Sequence, residues 1–409
     1  MSTALAGYTA DHALPLATLD PDAPFDDLEP LAARFRAARV VAIGESAHFV
    51  REYYWLRHRL LRFLVERCGF TAFAMESGFS EGLEVDSWVR GGPGDLDTVA
   101  ERGITYRMGR CPEMRAHLSW MRSASVPFAG LDVPGSAASP LPALRNIRRY
   151  VDGADPGAVP LVDELINRVE KYASESTITA LAAYTQLDRA DRDAVTAGLA
   201  DLAVWFDATQ GAAARDTHDV VRHELRLACL LDHGLRSQAA QILAGSTAHP
   251  PVSARDRGMA ESVFWMLDRF GADAKIVIGA ANNHIQRAPF TMPGFELSVA
   301  GTHLAHRLGD AYVAVAVTST GGTTTTRRAN PAAPGGVEIA GAELGPPVDG
   351  SIEAVLSGLS VVDLRGARGH IAGPDSIRVM DIYQPTPVLD AFDLVVNIPR
   401  ISPSAQVTG

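Results

Sequence analysis

Three short apolar runs in this chain each stop on polar residues, and that pattern restricts the fold more than any other feature. Val40-Val41-Ala42-Ile43 leads into Gly44-Glu45-Ser46-Ala47-His48. Thr71-Ala72-Phe73-Ala74-Met75 ends on Glu76. Lys275-Ile276-Val277-Ile278 leads into Gly279-Ala280-Ala281-Asn282-Asn283-His284. Continuous apolar runs of this length read as strands covered on both faces. Between the first two, Tyr54, Trp55, Leu56, Leu60, Leu61, Phe63, Leu64 and Val65 recur at helical spacing, and Gly69 is placed to end that helix. Strand 126–132 follows a helix that opens on Pro112, and it closes on Asp132. Alternation of strand and helix predicts an α/β fold with a mostly parallel central sheet flanked by helices. Ligands of such sheets bind at the carboxyl ends of the strands, where Glu45, Glu76 and Asp132 all fall.

The rest of the chain divides by pattern. Residues 1–25 read as a polar surface tail, and 26–38 as a short helix. Between 141 and 243 the strand signal disappears and Ala, Leu, Asp and Arg recur with helical periodicity. This stretch is expected to be a large all-helical insertion forming a cap over the cleft, with 1–140 and 244–409 as the α/β core. Ser253 is the expected N-cap of a helix reaching Phe270. Strands are expected at 275–281 and 311–319, a long loop or hairpin at 321–349, and two late strands at 376–382 and 393–398 that complete the sheet.

A net charge of -11 lacks the basic stripe that phosphate neutralisation requires, so nucleic acid is not an expected partner. No window approaches the ~18 uninterrupted apolar residues of a membrane helix, and the N-terminus has no signal-peptide pattern. Cys68, Cys111 and Cys229 are scattered, with no C-x-x-C pair, which fits a reducing, cytoplasmic setting. Lysine occurs only at 171 and 275, a bias typical of a bacterial genome rich in G and C.

Glu45 and His48 lie three apart in a turn. A carboxylate beside an imidazole fixes its tautomer and raises its basicity, which suits a general base; alternatively the pair caps the helix that follows. Glu76 ends an otherwise apolar strand, so it needs a partner such as Arg51 or Arg57, or a polar cleft. His284 is either a site residue or a packed imidazole behind an Asn turn. Gly78-Phe79-Ser80-Glu81-Gly82 matches the G-x-S-x-G elbow, with Asp132 and His284 in the right chain order, but no glycine-rich oxyanion segment precedes it. His218, Asp219, His223 and Glu224 look like metal ligands, yet histidines five apart do not share a helix face, and a solvated face is expected there.

Taken in order, Gly44-Glu45-x-x-His48, Arg57-His58-Arg59-Leu60, Phe73-Ala74-Met75-Glu76, Gly130-Leu131-Asp132, Arg255-Asp256-x-x-Met259-Ala260-Glu261, Asn282-x-His284-Ile285 and Gly309-Asp310-Ala311-Tyr312-Val313 resemble the erythromycin esterase family. The resemblance implies hydrolysis of a macrolide-type ester or lactone without a serine nucleophile. It implies His48 as the base that activates water, Glu45 and Glu76 as groups orienting histidine and water, and His284 as a second catalytic histidine. Arg57 matches a family arginine near the site. Asn282, Arg255 and Asp132 fall in matching segments and complete the expected substrate-binding set. One position departs: the first histidine of a family segment Ala-His-Asn-x-His-Ile is Ala281 here. Loss of such electrostatic help costs roughly 10²–10³ in rate.

Three readings follow: a water-activating hydrolase of a small-molecule natural product, a biosynthetic cyclase, lyase or isomerase using His48 and Glu76 without water, and a drug-binding protein without turnover. No metal or cofactor is required by this chemistry, although two acids and two histidines at one strand edge could hold one ion.

Overall fold

The computed structural model describes residues 3–209, 215–244, 253–292, 295–330, 332–333 and 336–405. Its centre is an eight-stranded sheet. In spatial order the strands are Ala13–Pro15 (β1), Ser360–Asp363 (β11), Leu394–Ile398 (β14), Tyr312–Ser319 (β8), Val40–Ile43 (β2), Ile276–Gly279 (β5), Ala72–Gly78 (β3) and Phe128–Asp132 (β4). The six from β14 to β4 run parallel, and β11 pairs antiparallel with both β14 and β1. Three two-stranded ribbons stand outside it: Phe290–Met292 (β6) with Phe295–Leu297 (β7), Thr323–Ala329 (β9) with Val337–Glu343 (β10), and Ser376–Val379 (β12) with Ile382–Pro385 (β13).

Side-chain alternation explains why both faces are buried. Val41, Ile43, Phe73, Met75, Val277, Val313 and Val315 enter one apolar cluster with helices Arg51–Cys68 and Pro112–Ala124. Val40, Ala42, Ala72, Ala74, Ile276, Ile278 and Ala314 enter the opposite cluster with helix Ala254–Phe270. Glu76 continues the parity of Ala72 and Ala74, so it points toward the face covered by the helix that carries Arg255. A register shift against β4 between Met75 and Gly78 marks an irregularity where Glu76 sits, as bulges near sites often do. Gly130 permits it, because a Cβ there would lie 2.2 Å from the Gly78 carbonyl oxygen.

Several expectations hold. Helix Arg51–Cys68 ends at Gly69 in the left-handed region (φ 78). Ser253 caps helix Ala254–Phe270 by accepting from the Asp256 amide. The stretch expected to be helical consists of Leu141–Ala154, Val159–Glu170, Thr177–Gln186, Arg189–Ala208 and Arg215–Ala244, with an apolar cluster of its own. It packs on helices Phe79–Val89 and Ala254–Phe270 and on the turn Pro134–Ala137.

Others need correction. The N-terminal stretch is not a surface tail: Thr3–His12 is a helix whose Leu5 is buried in the core, and β1 closes the sheet edge. Of the late strands, 376–379 leaves the sheet to form a ribbon, whereas Ser360–Asp363 joins it; both are too short for periodicity to separate them. Helix Leu96–Gly103, also unmarked in the sequence, fills the connection before Pro112. His218, His223 and Glu224 are buried, not on a solvated face. His223 Nε2 bonds Ser262 Oγ at 3.0 Å, and Asn146 donates to Glu224 at 2.6 Å, because the long helix Arg215–Ala244 is enclosed by its neighbours.

Gly44 lies where β2 meets this network. A Cβ there would lie 1.9 Å from Oδ1 of Asn282, the oxygen that accepts from the Val317 amide. Gly44→Ala should therefore destabilise the fold by about 1–3 kcal/mol, the usual cost of overpacking, read as a lowered denaturant midpoint at unchanged slope.

Candidate active site

The carboxylates, both histidines and Arg255 of the site stand at the carboxyl ends of the parallel strands, in the loops that follow them, or on the first turn of helix Ala254–Phe270. The turn after β2 presents Glu45 and His48. Glu45 Oε1 accepts from His48 Nδ1 at 2.8 Å, which leaves Nε2 pointing onward, 3.7 Å from Glu76 Oε1. That second separation is too long for a hydrogen bond. Neither side chain caps the following helix, whose N-cap is Val50 with no side-chain bond.

Glu76 is the hub. Its Oε1 accepts from Arg255 Nη2 at 2.9 Å and lies 3.3 Å from His284 Nε2, and its Oε2 accepts from the Ala281 amide at 2.8 Å. Arg255 is itself clamped by Asp132, with Nε 3.0 Å from both oxygens and Nη2 2.6 Å from Oδ2. His284 Nδ1 bonds Asp256 Oδ1 at 2.7 Å.

These contacts set the charges. Burial alone opposes a cationic His284, but Asp256 and Glu76 on either side push it up to about 10, so it carries an imidazolium at neutral pH. Burial opposes ionisation of Glu76 as well, yet His284, His48 and Arg255 hold it well below the usual carboxylate range. His48 is lowered by burial and, more weakly, by Arg327, but Glu76 and Glu45 outweigh both and its pKa is raised. One imidazole is thus a fixed donor, and the other stays titratable with a free ring nitrogen.

Exposure separates contact from support. His48 (16%), His284 (17%) and Arg255 (26%) keep solvent-accessible side chains, whereas Glu45, Glu76 and Asp132 are at most 3% exposed. Asp132 is committed to Arg255. Arg57 is buried behind Glu45, 3.4 Å from Oε2, with its guanidinium over the Tyr54 ring. Asn282 spends its carboxamide on both backbone groups of Val317 and its amide on the Glu45 carbonyl, tying β5 to the turn after β2. These two residues support the site from behind and do not line it. Ser80 bonds neither site histidine; its carbonyl accepts from Asn146 and its side chain lies by Glu224, so the serine elbow lacks the histidine that its chemistry requires. Among the described residues no group of three or more His, Cys, Asp or Glu is arranged to hold a metal ion.

The profile of the erythromycin esterase family matches residues 65–401, most of the chain. The protein belongs to the erythromycin esterase family. It is 28% identical to an Escherichia coli erythromycin esterase of type II over 417 aligned positions, covering 98% of each chain. It is 26% identical to a type I enzyme from the same species, covering 73% of this chain and 74% of that one. A mutant erythromycin esterase solved in its open conformation shares the fold, with a TM-score of 0.82 at 23% identity, covering 95% of this chain and 97% of that one. No helix among the described residues is long and apolar enough to cross a membrane.

Two site groups escaped the sequence reading. Asp256 was visible only as the neighbour of Arg255. Tyr106 carried no signal, yet its ring stacks on His48 with centroids 6.1 Å apart and planes 19° from parallel. Its hydroxyl donates to the Ser136 carbonyl at 2.8 Å. Tyr106 and Arg107 both have left-handed backbones (φ 56 and 60), a conformation costing non-glycine residues on the order of 1–3 kcal/mol each. Thr105 pins this turn to Ser77 and Ser136, so the surrounding bonds hold the ring against the imidazole.

Asp256 should govern the charge of His284. In the wild type, NMR of the His284 ring should show no titration between pH 6 and 8, and Asp256→Asn should bring the midpoint down toward that window. Because the folded-state value is raised, this ion pair stabilises fully below about pH 6.5, the unfolded value, and its contribution is lost as pH rises toward 10. Asp256→Asn should flatten that decline in chemical denaturation.

Proposed function

We propose that this protein hydrolyses an ester or lactone in a macrolide-like natural product without a covalent enzyme intermediate. One observation carries the reading: His48 keeps a partly accessible side chain with Nδ1 tied to Glu45 and no hydrogen bond at Nε2, in a site that also holds a histidine as a cation. His48 Nε2 takes a proton from water as the water oxygen attacks the carbonyl carbon. Glu45 keeps the imidazole in the tautomer that accepts at Nε2 and stabilises the imidazolium that forms. Arg57 behind it fixes Glu45. Negative charge then develops on the carbonyl oxygen, and the accessible donors of Arg255 and His284 are placed to meet it. The tetrahedral adduct collapses by breaking the C–O bond, and the leaving alkoxide takes the proton that His48 received from water. The products are a carboxylic acid and an alcohol, and the base is regenerated.

Ala281 bears on this reading directly. Where the family resemblance implies a histidine, this chain offers a backbone amide to Glu76 and a methyl group. Arg255 supports the developing charge in its stead. The same substitution favours a second reading, a tailoring enzyme that moves a proton between His48 and Glu76 without consuming water. The two Escherichia coli relatives, both named erythromycin esterases, favour hydrolysis. A role in antibiotic resistance follows from hydrolysis, a biosynthetic role from the alternative.

Incubation of the purified protein with a macrolactone panel in ¹⁸O water should place the label in the product carboxylate; an unlabelled cyclised or isomerised product would establish the second reading instead. His48→Ala should lower kcat by about 10²–10⁴, the range for a lost general base, and equal turnover by the variant would remove the mechanism. Since His48 works unprotonated and its pKa is raised, kcat/KM should fall as pH drops through a midpoint above the ordinary histidine value of about 6.5.

A further inference from the structure

One charged group near this site has no ionic partner among the described residues. The inner network is close to balanced: the carboxylates of Glu45, Glu76, Asp132 and Asp256 face the guanidiniums of Arg57 and Arg255 and the His284 imidazolium, and His48 can take a further positive charge. Arg327 stands outside this balance. It lies on β9, which runs past the turn that carries His48. Thr325 Oγ1 of the same strand donates to the His48 carbonyl, and Thr326 Oγ1 turns the other way to bond Asp381 Oδ1 at 2.6 Å. Strand alternation then puts Arg327 on the side of Thr325, toward His48. Thr325 and Arg327 therefore share the face of β9 that meets the His48 turn, and the charge of Arg327 falls within electrostatic reach of His48 and Tyr106. Its side chain is exposed, and no carboxylate among the described residues pairs with it.

A guanidinium without a carboxylate, beside a catalytic base whose proton affinity it diminishes, serves no purpose in the inner network. Its planar fork matches a carboxylate, sulfate or phosphate. We propose that Arg327 is a specificity-determining residue that binds an anionic group on the substrate, so that the preferred ester or lactone also carries a carboxylate or another oxyanion away from the scissile bond. This rests on the hydrolase reading above and names its substrate class. The anion would pair with Arg327 in the ground state and in the transition state alike, so the contribution falls mainly on KM. Partial exposure makes it sensitive to salt.

The test compares two p-nitrophenyl esters of similar acyl length, neutral butyrate and anionic hemisuccinate. Wild type should show a higher kcat/KM for the hemisuccinate at low ionic strength, diminishing in 0.5 M salt. Arg327→Gln should lower the anionic-to-neutral ratio of kcat/KM at least tenfold, chiefly through KM, and Arg327→Lys should restore part of it. An unchanged ratio in Arg327→Gln, with circular dichroism showing an intact fold, would overturn the proposal. If neither ester is cleaved, the ¹⁸O macrolactone assay decides the hydrolase reading by itself. The anion site is then read by calorimetric titration with the amide analogue, N-(4-nitrophenyl)succinamic acid, against its neutral butyramide counterpart. Binding of the anionic amide that weakens tenfold in Arg327→Gln would support the site, and equal binding of both amides by wild type would overturn it.

Discussion

A buried carboxylate between two histidines and an arginine is stable only if each neighbour is fixed, and Glu76 imposes that requirement on the whole molecule. Leaving an ionised carboxylate unpaired in an apolar interior costs several kcal/mol. Here the cost is offset by Arg255, by the Ala281 amide and by His284. Those three partners come from the helix after the insertion and the loop after β5, so the sheet order that sets β5 beside β3 is what makes the charge tolerable. Asp132 on β4 then holds Arg255, and Asp256 holds His284. The site is one connected network in which the most buried members orient the three that remain accessible.

The His48 turn is held from the opposite end of the chain. The turn Gly44–His48 has no regular structure of its own, and two ribbons from the C-terminal third grip it. Met380 donates to the Ser46 carbonyl at 2.8 Å, Thr325 donates to the His48 carbonyl, and Thr326 with Asp381 links the ribbons to each other. Ser402 accepts from the Arg51 amide and bonds Glu52, and the Ser404 amide donates to the Phe49 carbonyl. These contacts satisfy backbone groups that a buried turn would otherwise leave unpaired. The same ribbon carries Arg327 on the face that meets the His48 turn.

Most of the parallel sheet was legible because its signal is local. An apolar run four or five residues long with a polar stop identifies a strand end whatever its partners, and Glu45, His48, Glu76 and His284 all sit at such stops or in the loops that follow. The edge strands were not legible. Ala13–Pro15 and Ser360–Asp363 are three and four residues long, too short to carry a period, and they become strands only by pairing with each other and with β14. The same reasoning misplaced His218, His223 and Glu224, since a polar helix stripe looks solvated until another helix is laid over it.

What the amino-acid sequence determined by itself is therefore the α/β layering and the kind of chemistry at its carboxyl edge, because periodicity and residue type are properties of a few consecutive positions. Roles within the site were decided only by tertiary structure. Arg57 and Asn282 lie in promising segments, yet burial turns them into supports. Asp256 was visible only as the neighbour of Arg255 and Tyr106 not at all, yet one bonds His284 and the other stacks on His48. Whether a side chain serves as donor or support depends on distances of about 3 Å to residues far away in sequence, such as Glu76 from the Ala281 amide, 205 positions on and 2.8 Å away. Only folding creates those distances, and with them the difference between two histidines that the sequence presents alike.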